Sequence, residues 1–116
     1  MHNFVARLFS ARHAGSMTAN RTILEALATK RCLTAAYNGT AFLLAPHILY
    51  TRLDLIYLDA VPITKNGAPP REVKMSTFKV DGMSDIELTD VPFDVSPLYE
   101  PWQDKYRDKT LFSVPE

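Results

Sequence analysis

Several features that define common protein classes are missing from this chain of 116 residues. Its one cysteine, Cys32, cannot form an internal disulfide, and small secreted domains commonly depend on disulfides. We therefore expect a reducing compartment, the cytoplasm. No apolar run approaches the roughly 20 residues that a membrane-spanning helix needs. The longest apolar stretch is interrupted by Pro46 and His47, so we expect no membrane partner.

Residue patterns that support catalysis or cofactor binding are also scarce. The four glycines lie far apart and form no phosphate-binding loop. No histidine and cysteine spacing fits zinc, and the regularly spaced acids do not follow a calcium-loop pattern. A Cys32–His47 nucleophile pair is conceivable, but nothing in the sequence orients it. We predict no catalytic residue, no metal and no cofactor.

Charge is balanced overall but is unevenly distributed along the chain. Residues 1–52 carry six basic residues and one acid, whereas residues 53–116 carry seven basic residues and twelve acids. This asymmetry indicates a basic binding face if the halves stay apart. If folding interleaves the two halves, their opposite charges cancel and no basic face forms. The sequence leaves both interpretations open.

Residues 1–19 are predicted to be a flexible leader. The segment contains Arg7 and Arg12 and no acid, which is also typical of a transit peptide. A translation extension is a further alternative, because Met17 provides a second start. After this leader, a helix is predicted over residues 22–31, with Asn20 or Thr22 as its cap; the spacing of Thr22 and Glu25 fits a capping box. Its expected apolar stripe comprises Ile23, Leu24, Leu27 and Ala28.

The clearest local pattern in the sequence is a hairpin. Asn38-Gly39 separates apolar runs at residues 33–37 and 40–45, which predicts a type I′ turn with positive φ at both central residues. Pro46-His47 is expected to interrupt the next strand. Further strands are predicted over residues 48–53 and 55–61, with a tight bend at Asp54.

The later segments combine a loop, two strands and an irregular end. Residues 62–71 contain Pro, Gly and Asn and predict an exposed loop. Residues 72–81 alternate in polarity but change phase, which predicts a strand with a bulge near residues 76–77. A last strand is expected over residues 85–89. Beyond it, prolines and many aromatic residues predict an irregular wrap that packs over the sheet.

Together these patterns predict an α+β, mainly β fold. One N-terminal helix packs on a small five-stranded bent sheet or on an Sm-like (Src-homology-3-like) barrel, followed by the aromatic-rich C-terminal wrap. The expected boundaries are a leader over residues 1–19, a helix-plus-barrel unit over residues 20–95, and the wrap over residues 96–116.

The order of five short segments resembles the WYL domain, a bacterial family named for a Trp-Tyr-Leu tripeptide. The segments are Ile23-Leu24-Glu25-Ala26-Leu27, Tyr37-Asn38-Gly39, Leu44-Ala45-Pro46-His47, Ile56-Tyr57-Leu58 and Phe78-Lys79-Val80-Asp81-Gly82-Met83. The resemblance covers about residues 21–95. It implies an Sm-like barrel preceded by a helix, and a role in transcription regulation or in stress and defence systems through binding of a ligand or single-stranded nucleic acid.

The chain departs from the family pattern at positions that would line the family's pocket. Phe42 and Leu43 stand where members carry an arginine, and Gly82 stands where they carry a second. Ile56 replaces the tryptophan of the tripeptide. Residues preceding the helix are too few for a helix-turn-helix domain. The resemblance therefore implies a stand-alone sensor or adaptor.

We predict a non-enzymatic binding module. The candidate ligand-binding residues are Tyr37, His47, Tyr50, Arg52, Tyr57, Lys74 and Lys79. In this prediction the tyrosines stack on a ligand and the cations meet phosphates. The alternative, which is the more common one for such residues, is that each tyrosine is half-buried core and that His47 is a structural histidine. The alternative is a protein–protein interaction or assembly module that uses edge strands and the C-terminal segment, as a homo-oligomer or with a regulatory partner.

Overall fold

A computed structural model describes residues 11–116, with side chains from residue 17 onward. The first ten residues of the predicted leader lie outside the described part of the chain, as does the side chain of Arg12. Helix α1, Ala11–Thr29, starts ahead of the predicted position. Asn20 and Thr22 both lie inside this helix, and the Thr22 hydroxyl donates to the Thr18 carbonyl, so both predicted caps are wrong. Lys30 ends α1 with a φ of 53°.

Helix α1 packs on the sheet through one narrow stripe. Ile23, Ala26 and Leu27 are fully buried, with the i, i+3, i+4 spacing of a single helix face. Leu24, expected in that stripe, is 38% exposed. The buried stripe joins the main core, where it meets Leu33 and Leu44 of the sheet.

Residues 11–116 form a sheet of six antiparallel strands instead of the five predicted. The strands are β1 Arg31–Tyr37, β2 Thr40–Arg52, β3 Leu55–Lys65, β4 Ser76–Lys79, β5 Met83–Pro92 and β6 Thr110–Ser113. Their order is β4-β3-β2-β1-β5, and β6 pairs with β2. Two of the five strand pairings, β1 with β2 and β2 with β3, follow the predicted turns. Strand β3 pairs with one edge of β2 over most of its length. Strands β1 and β6 both pair with the opposite edge of β2, β1 with its N-terminal part and β6 with its C-terminal part.

The sheet is strongly bent and is not closed. Its two outer strands, β4 and β5, are joined by the single 3-10 turn Val80–Gly82. In a flat sheet they would be about 19 Å apart, a distance that one short turn cannot span. No β4–β5 pairing closes the ladder among residues 11–116. The bent-sheet form of the prediction is therefore correct, and the closed Sm-like barrel is not formed.

The turns agree with the sequence, whereas the strand lengths differ. Asn38 and Gly39 have φ of 51° and 78°, which confirms the type I′ turn. Leu53 and Asp54 also have positive φ, which confirms a tight bend there. Strand β2 does not stop at Pro46. A bulge at Pro46-His47 shifts the register between β2 and β3, and a bulge is a position at which a strand tolerates proline.

The predicted strand over residues 72–81 is shorter than expected. The strand begins at Ser76, and Val73 lies outside it with 65% exposure. The apolar residues before and after the change of phase therefore do not belong to one strand, and the predicted bulge is not needed. The predicted loop over residues 62–71 is likewise shorter, because β3 continues to Lys65 before Asn66-Gly67 turns the chain. Strand β5 extends over Met83–Pro92, and a bulge separates its pairs with Thr34 and Ala36.

The C-terminal segment, residues 93–116, wraps over the sheet and also adds strand β6. Tyr99, Tyr106 and Val114 are buried in the main core, as the predicted wrap requires. Trp102 is 70% exposed and does not pack there. Within the described residues, no helix combines the length and the apolar content needed to cross a bilayer.

Candidate ligand-binding surface

Cross-strand register brings four of the predicted site residues together. Tyr50 of β2 pairs with Tyr57 of β3, and Tyr57 pairs with Lys79 of β4. Directly paired residues share a face of a sheet, and Arg52 lies on that face two positions beyond Tyr50. The three adjacent strands thus align two aromatic rings and two cations.

Arg52, Tyr57 and Lys79 form the cation–aromatic surface. The Arg52 guanidinium carbon lies 5.7 Å from the centroid of the Tyr57 ring. Arg52 and Lys79 are exposed and Tyr57 is half-buried, so the surface opens to solvent. Neither cation makes a salt bridge to any acid among residues 17–116. Both charges are therefore available to an anion.

Tyr50 supports this surface from below. It is 1% exposed, and its ring stacks on Tyr57 with centroids 6.1 Å apart. Its hydroxyl donates to Asp59 Oδ1 at 2.7 Å. Burial, followed by the neighbouring Asp59 carboxylate, raises the pKa of Tyr50 well above its usual value. Tyr50 thus acts as a fixed support, and its burial leaves no ring face open for the stacking contact predicted for it.

The fixed support depends on Asp59, which the sequence reasoning missed. Asp59 is fully buried on β3. Besides Tyr50, its carboxylate accepts hydrogen bonds from Thr77 at 2.8 Å and Tyr106 at 2.5 Å. Lys105 Nζ lies 2.8 Å from Oδ2. Four donors compensate the buried charge, as such burial requires.

This polar cluster, formed by Asp59 and its four donors, joins the C-terminal segment to the sheet. Lys105 and Tyr106 come from the 3-10 turn Asp104–Tyr106, whereas their acceptor belongs to β3. Lys105 Nζ also lies 5.7 Å from the Tyr50 ring centroid. The pKa of Tyr106 is raised, first by burial and then by its bond to Asp59. The sequence signal that could have identified this cluster is Asp59 itself, an acid within the apolar run of β3.

His47 lies in the interior, away from the cation–aromatic surface. It is fully buried, and its Nε2 accepts the Ser96 backbone N–H at 2.9 Å. The other ring nitrogen therefore carries the proton and donates to the Ala45 carbonyl at 2.9 Å. Burial lowers the pKa of His47, partly offset by the Ala45 bond. This is the structural-histidine alternative, with the ring fixing the start of the C-terminal segment.

The conceivable Cys32–His47 nucleophile pair does not form. Both His47 ring nitrogens are engaged by backbone groups. Cys32 is 1% exposed, and burial raises the pKa of its thiol, which opposes thiolate formation.

Tyr37 and Lys74 take different positions from the other predicted residues. The Tyr37 hydroxyl accepts the Lys79 backbone N–H at 3.1 Å, and its ring meets Phe78 edge-on. Tyr37 therefore anchors β4 next to the cation–aromatic surface. Lys74 is exposed and precedes β4, five positions from Lys79, so it lies outside the strand pairing that aligns the cation–aromatic surface.

No group of acidic, histidine and cysteine side chains within the described residues is arranged to hold a metal ion. Comparisons of the chain with protein-family models, with curated proteins and with solved structures find no match.

Proposed function

We propose that this chain is a non-enzymatic, WYL-like regulatory module that binds single-stranded nucleic acid, or a small aromatic anion, on the cation–aromatic surface. The observation that carries the proposal is the convergence of Arg52, Tyr57 and Lys79 on three adjacent strands. A nucleobase stacks on the Tyr57 ring. The two unpaired cations meet the flanking phosphates.

The dimensions of the surface set the expected strength and salt dependence. Its three residues span two strand spacings, about 10 Å, which is enough for a few nucleotides. Two phosphate contacts give a slope of about −1.4 for log K against log salt with single strands. Lys105 adds little to this slope, because Asp59 already neutralises it.

Titration of a fluorescein-labelled oligothymidine at 50 to 200 mM salt tests the proposal. We expect Arg52→Ala and Lys79→Ala each to weaken binding and to reduce the slope by about 0.7. Lys74→Ala is the matched control, because this exposed lysine lies away from the surface and should leave both quantities unchanged. Binding that does not depend on salt, or equal losses in all three variants, would contradict the proposal.

The aromatic contribution is tested separately at Tyr57. Tyr57→Ala should weaken binding by about 1–3 kcal/mol, the usual contribution of one stacked base. Tyr57→Phe keeps the ring and should bind like the unmodified protein. A Phe variant as weak as the Ala variant would show that the hydroxyl, and not stacking, contributes the affinity.

The WYL-like part of the proposal rests on the sequence segments given above. The helix that precedes and packs on a strongly bent antiparallel sheet agrees with part of the architecture that the resemblance implies, although the sheet does not close into the Sm-like barrel. Arg52 and Lys79 would supply the charge that Phe42, Leu43 and Gly82 do not. On this proposal the chain acts in the cytoplasm as a sensor or adaptor in transcription regulation.

The assembly alternative is favoured by one observation, the apolar exposure of the C-terminal segment. Leu98, Trp102, Leu111 and Phe112 are between 37% and 70% exposed. Against edge pairing, the Tyr37 hydroxyl occupies the Lys79 N–H on β4, and β5 carries several acids. Light scattering distinguishes the two functions. A mass that rises with concentration and returns to the monomer in Trp102→Ala supports assembly.

A further inference from the structure

A concave feature separate from the cation–aromatic surface, the acid-lined groove, lies at the hairpin end of the sheet. It has a volume of about 400 Å³, and its lining includes Thr34, Ala36, Ala41, Leu43, Asp85 and Glu87. Volumes in this range are typical of small-molecule sites. None of the residues of the cation–aromatic surface lines this groove.

The sequence creates the groove by placing small side chains on one face. Thr34 pairs with Leu43, and Ala36 pairs with Ala41, so these four residues share a face of the β1–β2 hairpin. The alanines are too short to fill the concavity. On the β5 side, Glu87 pairs with Thr34, and the bulge inserts Asp85 at the same edge. The result is an apolar floor with a carboxylate rim.

The charge of this rim is uncompensated. Asp85 and Glu87 are exposed, and neither makes a salt bridge with a basic residue among residues 17–116. No lysine or arginine side chain among residues 17–116 lines the groove. An anion is therefore repelled, whereas a ligand with a cationic head and an alkyl chain meets complementary groups at both ends.

We propose that the acid-lined groove binds a small aliphatic amine as its alkylammonium ion. The ammonium group lies between Asp85 and Glu87 and donates hydrogen bonds to both carboxylates. The alkyl chain covers Ala36, Ala41 and Leu43. This site is independent of the proposed nucleic-acid function, because it lies on other residues and selects the opposite charge.

The test compares two probes of equal length, hexylammonium and 1-hexanol, by nitrogen–proton NMR titration of the full chain. We expect saturable shifts of the Thr34, Ala36 and Ala41 amides with hexylammonium only. Asp85→Asn with Glu87→Gln should weaken binding about tenfold. Asp94→Asn with Glu72→Gln changes net charge equally at exposed acids outside the groove and should leave affinity unchanged.

A steric variant makes the test independent of charge. Ala41 is exposed, so Ala41→Leu fills the groove without disturbing the core, and it should abolish the saturable shifts. Non-saturating shifts, equal shifts with 1-hexanol, or unchanged binding in the Asp85/Glu87 variant would overturn the proposal. A lysine-containing tripeptide that binds more tightly than hexylammonium would also overturn it, by reassigning the groove to a protein ligand.

Discussion

Replacing Asp59 by asparagine removes the charge at the centre of the polar cluster with almost no change in volume. The carboxylate is fully buried and accepts hydrogen bonds from Tyr50, Thr77 and Tyr106. In Asp59→Asn, one acceptor oxygen becomes an amide donor that faces a hydroxyl. Lys105 also loses its counter-charge, although its side chain is 39% exposed and can return to water.

These losses set the expected magnitude. A hydrogen bond to a charged group contributes roughly 1.5–3 kcal/mol, and removing one partner of a buried pair costs about 3–5 kcal/mol. The solvent access of Lys105 and the freedom of the hydroxyls to rotate reduce that cost. We therefore expect Asp59→Asn to lower the free energy of unfolding by about 3 kcal/mol.

Urea denaturation followed by tyrosine and tryptophan fluorescence measures this change. Tyr106→Phe is the graded control, since it removes one donor and leaves the charge, and it should cost about 1.5 kcal/mol. If Asp59→Asn costs less than Tyr106→Phe, the carboxylate does not organise the cluster and the reasoning fails. Loss of Asp59 should also weaken oligonucleotide binding, because Tyr50 then no longer fixes Tyr57.

Two further predictions concern the interior and the first turn. Because the pKa of buried His47 is lowered, the unfolded chain binds a proton that the folded chain resists, so stability should fall as pH decreases below about 6.5, by up to about 1.4 kcal/mol per pH unit. His47→Gln should flatten this dependence in urea titrations at pH 7 and pH 5; an unchanged slope would contradict it. Gly39→Ala should cost about 1 kcal/mol in the same assay, because φ is +78° there, although no atom of the described residues lies within 4 Å of a Cβ added at this position. A cost below about 0.3 kcal/mol would refute that.

Local patterns predicted the helix, the first hairpin and the antiparallel sheet. The Asn38-Gly39 turn depends on φ at two adjacent residues, so it can be inferred from the sequence alone. The continuity of β2 through Pro46 could not be inferred in the same way. Strand β3 tolerates a register shift there, and this tolerance depends on pairing between residues distant in sequence.

The candidate site could be predicted only in part, because it too depends on pairing between residues that are distant in sequence. Alternation identified Tyr57 and Lys79 as strand residues, but their pairing depends on the register of β3 with β4. The sequence does not distinguish the buried His47 and Tyr50 from surface residues, because the residues that cover them belong to the C-terminal segment, far away along the chain. Asp59 was overlooked because three of its donors, Thr77, Lys105 and Tyr106, lie 18 or more residues away.

The most direct measurement is nitrogen–proton NMR of the labelled chain during addition of a ten-nucleotide oligothymidine. The proposed function predicts the largest amide shifts at Arg52, Tyr57 and Lys79, with saturation and with partial reversal at higher salt. Absence of shifts at these three residues, or shifts confined to the exposed residues of the C-terminal segment, would contradict it.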